Sequence, residues 1–408
     1  MLDIFHNEFG DIPQTGASVD GMIYPHDMRT DGAALVLCED SDARIRVDGI
    51  KGNSAIGSAK KLAAKVKCEN GVVALHFPVV HVPGAIKSAQ FAANGFYYSN
   101  KIKIETLEKQ KESVRKFSDY CDKESIINQP SAILNLFARQ TNYKVPIIGI
   151  NVLHTHVRFN SPNIFCNFED IDGGIAALTI EKNNVSAIYD DIFPDKGKTL
   201  DETKLIVSNE FKIIKEFKAR SEKNVLISLD DKSPTEAVKN LIYISEEKEK
   251  QISEHLDKGD FKVQMPYALL FLNKKTNGAF LLGMGSYLPF DLFPFYMDIS
   301  DYSEEVALVY ELIEDKFDSF LSCLNNLKYN DKRFVFFSID FGTIAAFGKK
   351  TLEYEDKINK LLGDNYFGII TAPTSAYIPT EFRLRNYLSE THHNSFFNSG
   401  GTSTCLEI

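Results

Sequence analysis

Two histidines two residues apart, His154 and His156, offer the first chemical possibility in this sequence. They follow the apolar run Val145 to Val152, which reads as a strand, so their side chains leave the same face. Two imidazoles on one face can share a divalent ion, and zinc takes His nitrogen and carboxylate oxygen readily. A catalytic zinc needs a third protein ligand. Asp170, fourteen residues after His156 and beyond a Pro-containing loop, is the candidate. Glu169, Asp172 and Cys166 are alternatives. A zinc-bound water, its pKa drawn toward neutrality, would be the nucleophile. Glu105 or Glu124 would act as the general base.

The order His154-Thr155-His156 followed by Asp170 resembles the JAMM/MPN metal-dependent isopeptidases. There a strand ends in His-x-His, and an Asp follows through a Ser-x-x-Asp loop. The resemblance implies His154, His156 and Asp170 as metal ligands, with an upstream Glu as base. It covers about thirty of the 408 residues. Val157 stands where a Pro is usual, and Asn167 where the Ser would be. The opening Leu153-His154-Thr155-His156 is also similar to that of metal-dependent phosphoesterases, which need several further histidines. Downstream there are only His255, His392 and His393.

The elements that must position these residues read as an α+β protein. Ala33 to Cys38 and Ala43 to Val47 are expected strands, and Gly57 to Lys67 a helix. Strands across Val72 to Val82 follow, with Pro78 pointing to a sheet edge or a bend. Helices are expected over Ile104 to Tyr120 and Ser131 to Gln140. Ala176 to Glu181 and Val185 to Tyr189 read as a hairpin through Lys182-Asn183-Asn184. Thr199 with Glu202 makes a capping box for a helix to about Arg220. Asn224 to Leu229 is an expected strand, and Ser233-Pro234-Thr235-Glu236 another helix start.

Tyr267 to Asn273 and Ala279 to Gly283 form the clearest hairpin, through Thr276-Asn277-Gly278. Val306, Val309, Ile313, Phe317, Phe320, Leu324 and Leu327 keep helical spacing after Asp301. Strands over Arg333 to Ile339 and Tyr366 to Thr371, with a helix over Glu353 to Leu362, complete the pattern. Hairpins mixed with long amphipathic helices imply largely antiparallel sheets in two domains, 1–192 and 193–388. Residues 389–408, small, polar and Gly-containing, read as a flexible tail that a partner could order. The sequence shows no internal repeat.

The formal charge of −10 disfavours non-specific binding to nucleic acid. Lys60, Lys61, Lys65 and Lys67 read as a solvated helix face. Six cysteines without a CxxC pair argue against a zinc ribbon or a disulfide scaffold. No signal peptide or membrane span is legible, so a soluble, cytoplasmic protein is expected. Two functions follow. One is a zinc-dependent hydrolase of peptide, isopeptide or phosphoester bonds. The other is a non-catalytic interaction or assembly protein, binding a protein partner or forming homo-oligomers, with the tail engaging the partner.

Overall fold

The computed structural model describes residues 2–29, 33–37, 39–82, 84–152, 163–183, 185–190, 196–223, 225–242, 250, 264–285, 293–294, 302–310, 321, 324–325, 334–340, 351–371, 374–379, 396–398 and 403–407. The architecture is mixed α+β. Strands are numbered β1 to β21 and helices α1 to α8 along the chain.

The central sheet runs β4 (Arg44–Ile50), β9 (Ile175–Glu181), β5 (Val72–Pro78), β6 (Ile147–Val152), β19 (Thr374–Tyr377), β20 (Phe396–Asn398). Only β5 and β6 are parallel in it. Parallel neighbours need a crossover. Here α3 (Gly84–Ile104), α4 (Leu107–Lys123) and α5 (Pro130–Gln140) supply it. Val73, Leu75, Phe77 and Ile147 pack with α5 and with α2 (Ala55–Ala63) in one buried cluster.

A second sheet runs β10 (Ser186–Asp190), β21 (Ser403–Glu407), β17 (Val335–Asp340), β18 (Tyr366–Thr371), β2 (Gly21–Tyr24), β3 (Asp27–Arg29). Again only the middle pair, β17 and β18, is parallel. Its crossover contains α8 (Thr351–Leu362), whose Ile358 and Leu362 pack under Val335, Phe337 and Tyr366. Strand order and direction therefore match position by position between the two sheets. Each sheet also takes its fifth and sixth strands from a hairpin-like pair at the other end of the chain. Phe336 of the second sheet joins Val72, Ile148 and Ala376 of the first in a shared cluster.

The third sheet is antiparallel throughout, in the order β14 (Ala279–Gly285), β13 (Gln264–Asn273), β16 (Tyr302–Tyr310), β11 (Lys212–Glu222), β12 (Val225–Leu229), β15 (Phe293–Pro294). Helices α6 (Leu200–Glu210) and α7 (Pro234–Lys239) flank it. A small sheet of β1 (Thr15–Ala17), β7 (Ile164–Cys166) and β8 (Glu169–Asp170) and the N-terminal α1 (Leu2–Phe9) complete the described fold. Two of the large sheets thus draw strands from both sides of residue 192, whereas the third lies wholly within 212–310.

Several expectations need correction. The helix begun at Thr199, whose hydroxyl accepts from Glu202 N as expected, ends at Glu210, and β11 replaces its second half. There Phe217 and Ala219 are buried between exposed Glu216 and Lys218, a period of two that strand pairing exploits. The helical spacing after Asp301 is likewise overridden: Val306 to Val309 are all buried in β16, between β13 and β11. Of its later positions, Leu324 is helical and buried with Val335 and Phe337, while Ile313, Phe317, Phe320 and Leu327 lie outside the described residues.

β9 and β10 form but do not pair with each other, because the link between them crosses from one sheet to the next. Pro78 closes a central strand rather than an edge, at its last residue. Residues 33–37 have no regular structure, and α3 was not foreseen. α2 begins at Ala55 on a Ser54 cap, two residues before the expected start. Within the expected flexible tail, 396–398 and 403–407 are strands, the latter central in its sheet.

Candidate functional site

The carboxyl ends of β5 and β6 lie side by side, Pro78 beside Val152. Beyond them Val79 N donates to Val152 O (3.1 Å), and Asn128 N and His81 N donate to Val79 O (2.7 Å) and Ile126 O (2.9 Å). The Asn128 amide also donates to Pro78 O at 3.0 Å. The strand edge is thereby continued to His81 and laced to the residues that lead into α5. In sheets with parallel strands, ligands collect outside such carboxyl ends.

Four of the seven buried side-chain atoms without a hydrogen-bond partner among the described residues sit here. They are both ring nitrogens of His81, Asn128 Oδ1 and Asn151 Nδ2. Buried polar atoms are nearly always paired, so each of these calls for a partner such as an ordered water or a ligand. His81 is 2% exposed, with the Gly173 backbone against its ring: a Cβ there would come within 2.3 Å of the imidazole. Burial pulls the His81 pKa down, Asp172 opposes this, and Lys87 adds to it. Neutral imidazole, one nitrogen donating and the other accepting, is the form that binds metals and accepts protons.

Residues 153–162 lie outside the described structure. Val152 and Ile164, which precede and follow them in the chain, share a buried cluster with Cys166, Ile171 and Ala176. Ile171 N donates to Ile164 O at 2.9 Å, and Asp172 N to Asp170 Oδ1 at 2.9 Å. Lys51 Nζ reaches Asp170 O (3.2 Å) and Asp172 Oδ2 (3.4 Å).

His154 and His156 lie outside the described residues. Asp170, Glu169 and Asp172 are accessible, on the β8 strand and the turn after it. Cys166 is buried, and its thiol is pushed up to about 11 by burial, then by Asp48 and Glu169, so it stays protonated at neutral pH. Asn167 and Phe168 turn β7 into β8 with positive φ (47° and 65°). Asn167 therefore serves a turn where the resemblance would put a metal-loop Ser. Glu124 pairs with Lys87 at 3.0 Å, at the same edge as His81. Glu105 sits at the α3–α4 junction, accepting from Ser113 Oγ (2.8 Å) and paired with Lys101 (3.4 Å). Among the described residues no three His, Cys, Asp or Glu side chains gather closely enough to hold a metal. His81, Asn128 and Asn151 were not singled out in the sequence. Two of them are isolated amides, and His81 follows an apolar run; no spacing rule marks them.

Residues 201–314 match the family described as AF0772-like protein C-terminal domain. This match coincides with the third sheet and its flanking helices, not with the β5–β6 edge. A protein of Archaeoglobus fulgidus, described as uncharacterized, is 25% identical over 232 residues, 56% of this chain. The match spans 61% of that protein's length. Neither description names an activity. Among the described residues no helix is long and apolar enough to cross a membrane.

Proposed function

We propose that the protein is a metal-dependent hydrolase that works at the carboxyl edge of β5 and β6. One observation carries the reading: Val152 and Ile164, described residues before and after His154 and His156 in the chain, pack with Ile171, and the same strand end carries a buried His81 with two unpaired ring nitrogens. In this reading His154, His156 and Asp170 would hold zinc, which would supply an activated water. His81 serves as a further ligand or proton acceptor. Glu124, released from Lys87, is the better placed of the two candidate bases. Glu105 already has its carboxylate engaged at the α3–α4 junction. Buried, unpaired Cys68, Cys121 and Cys166 suit a reducing compartment, so the cytoplasm is the proposed location.

Elemental analysis of the purified protein beside a His154→Ala/His156→Ala variant tests this. About one zinc or other transition metal per chain, lost in the variant, together with hydrolysis of a nitrophenyl phosphodiester or a peptide, is the expected result. No metal in either protein after reconstitution with zinc refutes it.

The alternative, a non-catalytic interaction protein, is favoured by a different observation. Ile86, Phe96 and Tyr97 on α3 are 77%, 65% and 55% exposed. Apolar side chains grouped on one helix mark contact surfaces in many proteins. The described residues of the tail engage this chain's own sheets.

A further inference from the structure

The two matching sheets meet carboxyl edge to carboxyl edge. Thr371, the last residue of β18, donates its hydroxyl to the backbone carbonyl of Asn151, the penultimate residue of β6. Three residues later the chain enters β19 and pairs with β6, placing Ser375 opposite Gly149. Ser375 Oγ donates to Asn151 Oδ1 at 3.0 Å, which fixes the amide with its nitrogen turned the other way. Gly149 makes room for this arrangement: a Cβ there would lie 2.0 Å from Ser375 Oγ and 2.9 Å from Asn151 Oδ1. Asn151 is fully buried, and its Nδ2 has no partner among the described residues.

The matching sheet shows that the fold does not require an amide at this position. Gly149 in β6 corresponds to Gly368 in β18, each sitting two residues after the first core-facing residue of its strand, Ile147 and Tyr366. By that alignment Asn151 corresponds to Ile370, which is fully buried in an apolar cluster. An unpaired buried donor costs roughly 1–3 kcal/mol, which an apolar residue would avoid.

We infer that the junction of the two parallel pairs is a binding site for a small uncharged molecule, whose carbonyl or hydroxyl oxygen accepts from Asn151 Nδ2. Among the described residues, the buried polar side chains include no Lys or Arg. A carboxylate or phosphate there would thus be an unpaired buried charge, which is far costlier than a neutral acceptor. The site does not rest on the hydrolase reading, because it needs no metal and neither of His154 and His156.

Saturation-transfer difference NMR on the intact protein, with acetamide and acetate as probes of equal size, tests the inference. Saturation of the acetamide methyl well above that of acetate, abolished in Asn151→Leu/Ser375→Ala, is the expected result. Because the double variant removes the unpaired donor together with its hydroxyl partner, its melting temperature is expected not to fall. Equal saturation of both probes, or none, overturns the inference on the unmodified protein alone and leaves the amide to an ordered water. Acetamide saturation that survives in the folded variant overturns it too.

Discussion

His76 offers a quantitative test of the buried face of β5. It lies between Ile150 of β6 and Ala176 of β9, 6% exposed, with Nδ1 3.1 Å from Thr15 Oγ1. Burial alone pulls its pKa from 6.5 to about 4. The folded protein therefore holds His76 neutral, while the unfolded chain takes up a proton on passing below the ordinary histidine pKa. Stability is fully present above pH 6.5 and is lost as pH falls toward 4, since the unfolded state binds more protons in that window. At about 1.4 kcal/mol per pKa unit, the displacement is worth about 3 kcal/mol. That is a large share of the roughly 5–15 kcal/mol that stabilises most domains. Urea unfolding at several pH values between 7.5 and 4, on the wild type and on His76→Leu, measures it. The substitution adds a pH-independent offset, because Thr15 keeps its bond to Phe165 O, and carboxylates titrate alike in both proteins. The wild type is expected to lose about 3 kcal/mol more than the variant across this range. Parallel pH profiles would show that His76 is solvated or charged in the fold, and would refute the argument.

Other perturbations have equally definite outcomes. Gly173→Ala brings a methyl within 2.3 Å of the His81 ring; a loss of about 1–3 kcal/mol is expected from overpacking, read by thermal unfolding. Thr199→Ala removes the hydroxyl that caps α6, and should cost about 1 kcal/mol in urea unfolding. Deleting 403–408 removes the strand between β10 and β17, so the truncated chain is expected to aggregate or lose its cooperative transition. An unchanged melting curve would mean that this strand is dispensable.

What the sequence revealed depended on whether the deciding interactions were local. The Asn277 turn was legible because Asn273 Oδ1 accepts from Lys275 N and Thr276 N inside the loop itself. The Thr199 and Ser233 caps were legible for the same reason. Where partners are distant, the same residues misled. Asn183 suggested a hairpin, yet β9 and β10 find their partners in β4, β5 and β21. Val306 and Val309 have helical spacing, but two neighbouring strands claim the whole run. The matching order of the two large sheets leaves almost no trace in sequence beyond Ile148-Gly149-Ile150 and Phe367-Gly368-Ile369. The His-x-His pattern falls outside the described residues, whereas His81, Asn128 and Asn151 carry no sequence signal, because each is buried by pairings distant in sequence: β5 with β6, and residues 79–81 with 126–128.

The third sheet permits a last prediction about organisation. Its buried cluster runs from Val207 to Val309 and takes no residue from the two matching sheets. Among the described residues its strands pair only with one another. The expected boundary at 192 falls at the entry to this unit, but the chain returns to the matching sheets at β17, well before 388. The unit therefore reads as an insertion between β10 and β17, which explains why a family match can cover 201–314 and stop there. Among the described residues its contacts with the rest centre on α4: Val114 packs in a buried cluster with Val225 and Ile227, and Arg115–Glu222 (2.6 Å) and Asp119–Lys223 (2.5 Å) form ion pairs. Exposed pairs of this kind contribute about 0–1 kcal/mol each. A fragment spanning 198–314 is accordingly expected to unfold cooperatively in urea and to keep strand-rich circular dichroism. A fragment that shows no cooperative transition would mean that α4 is part of its core, and that the inserted unit is not a domain.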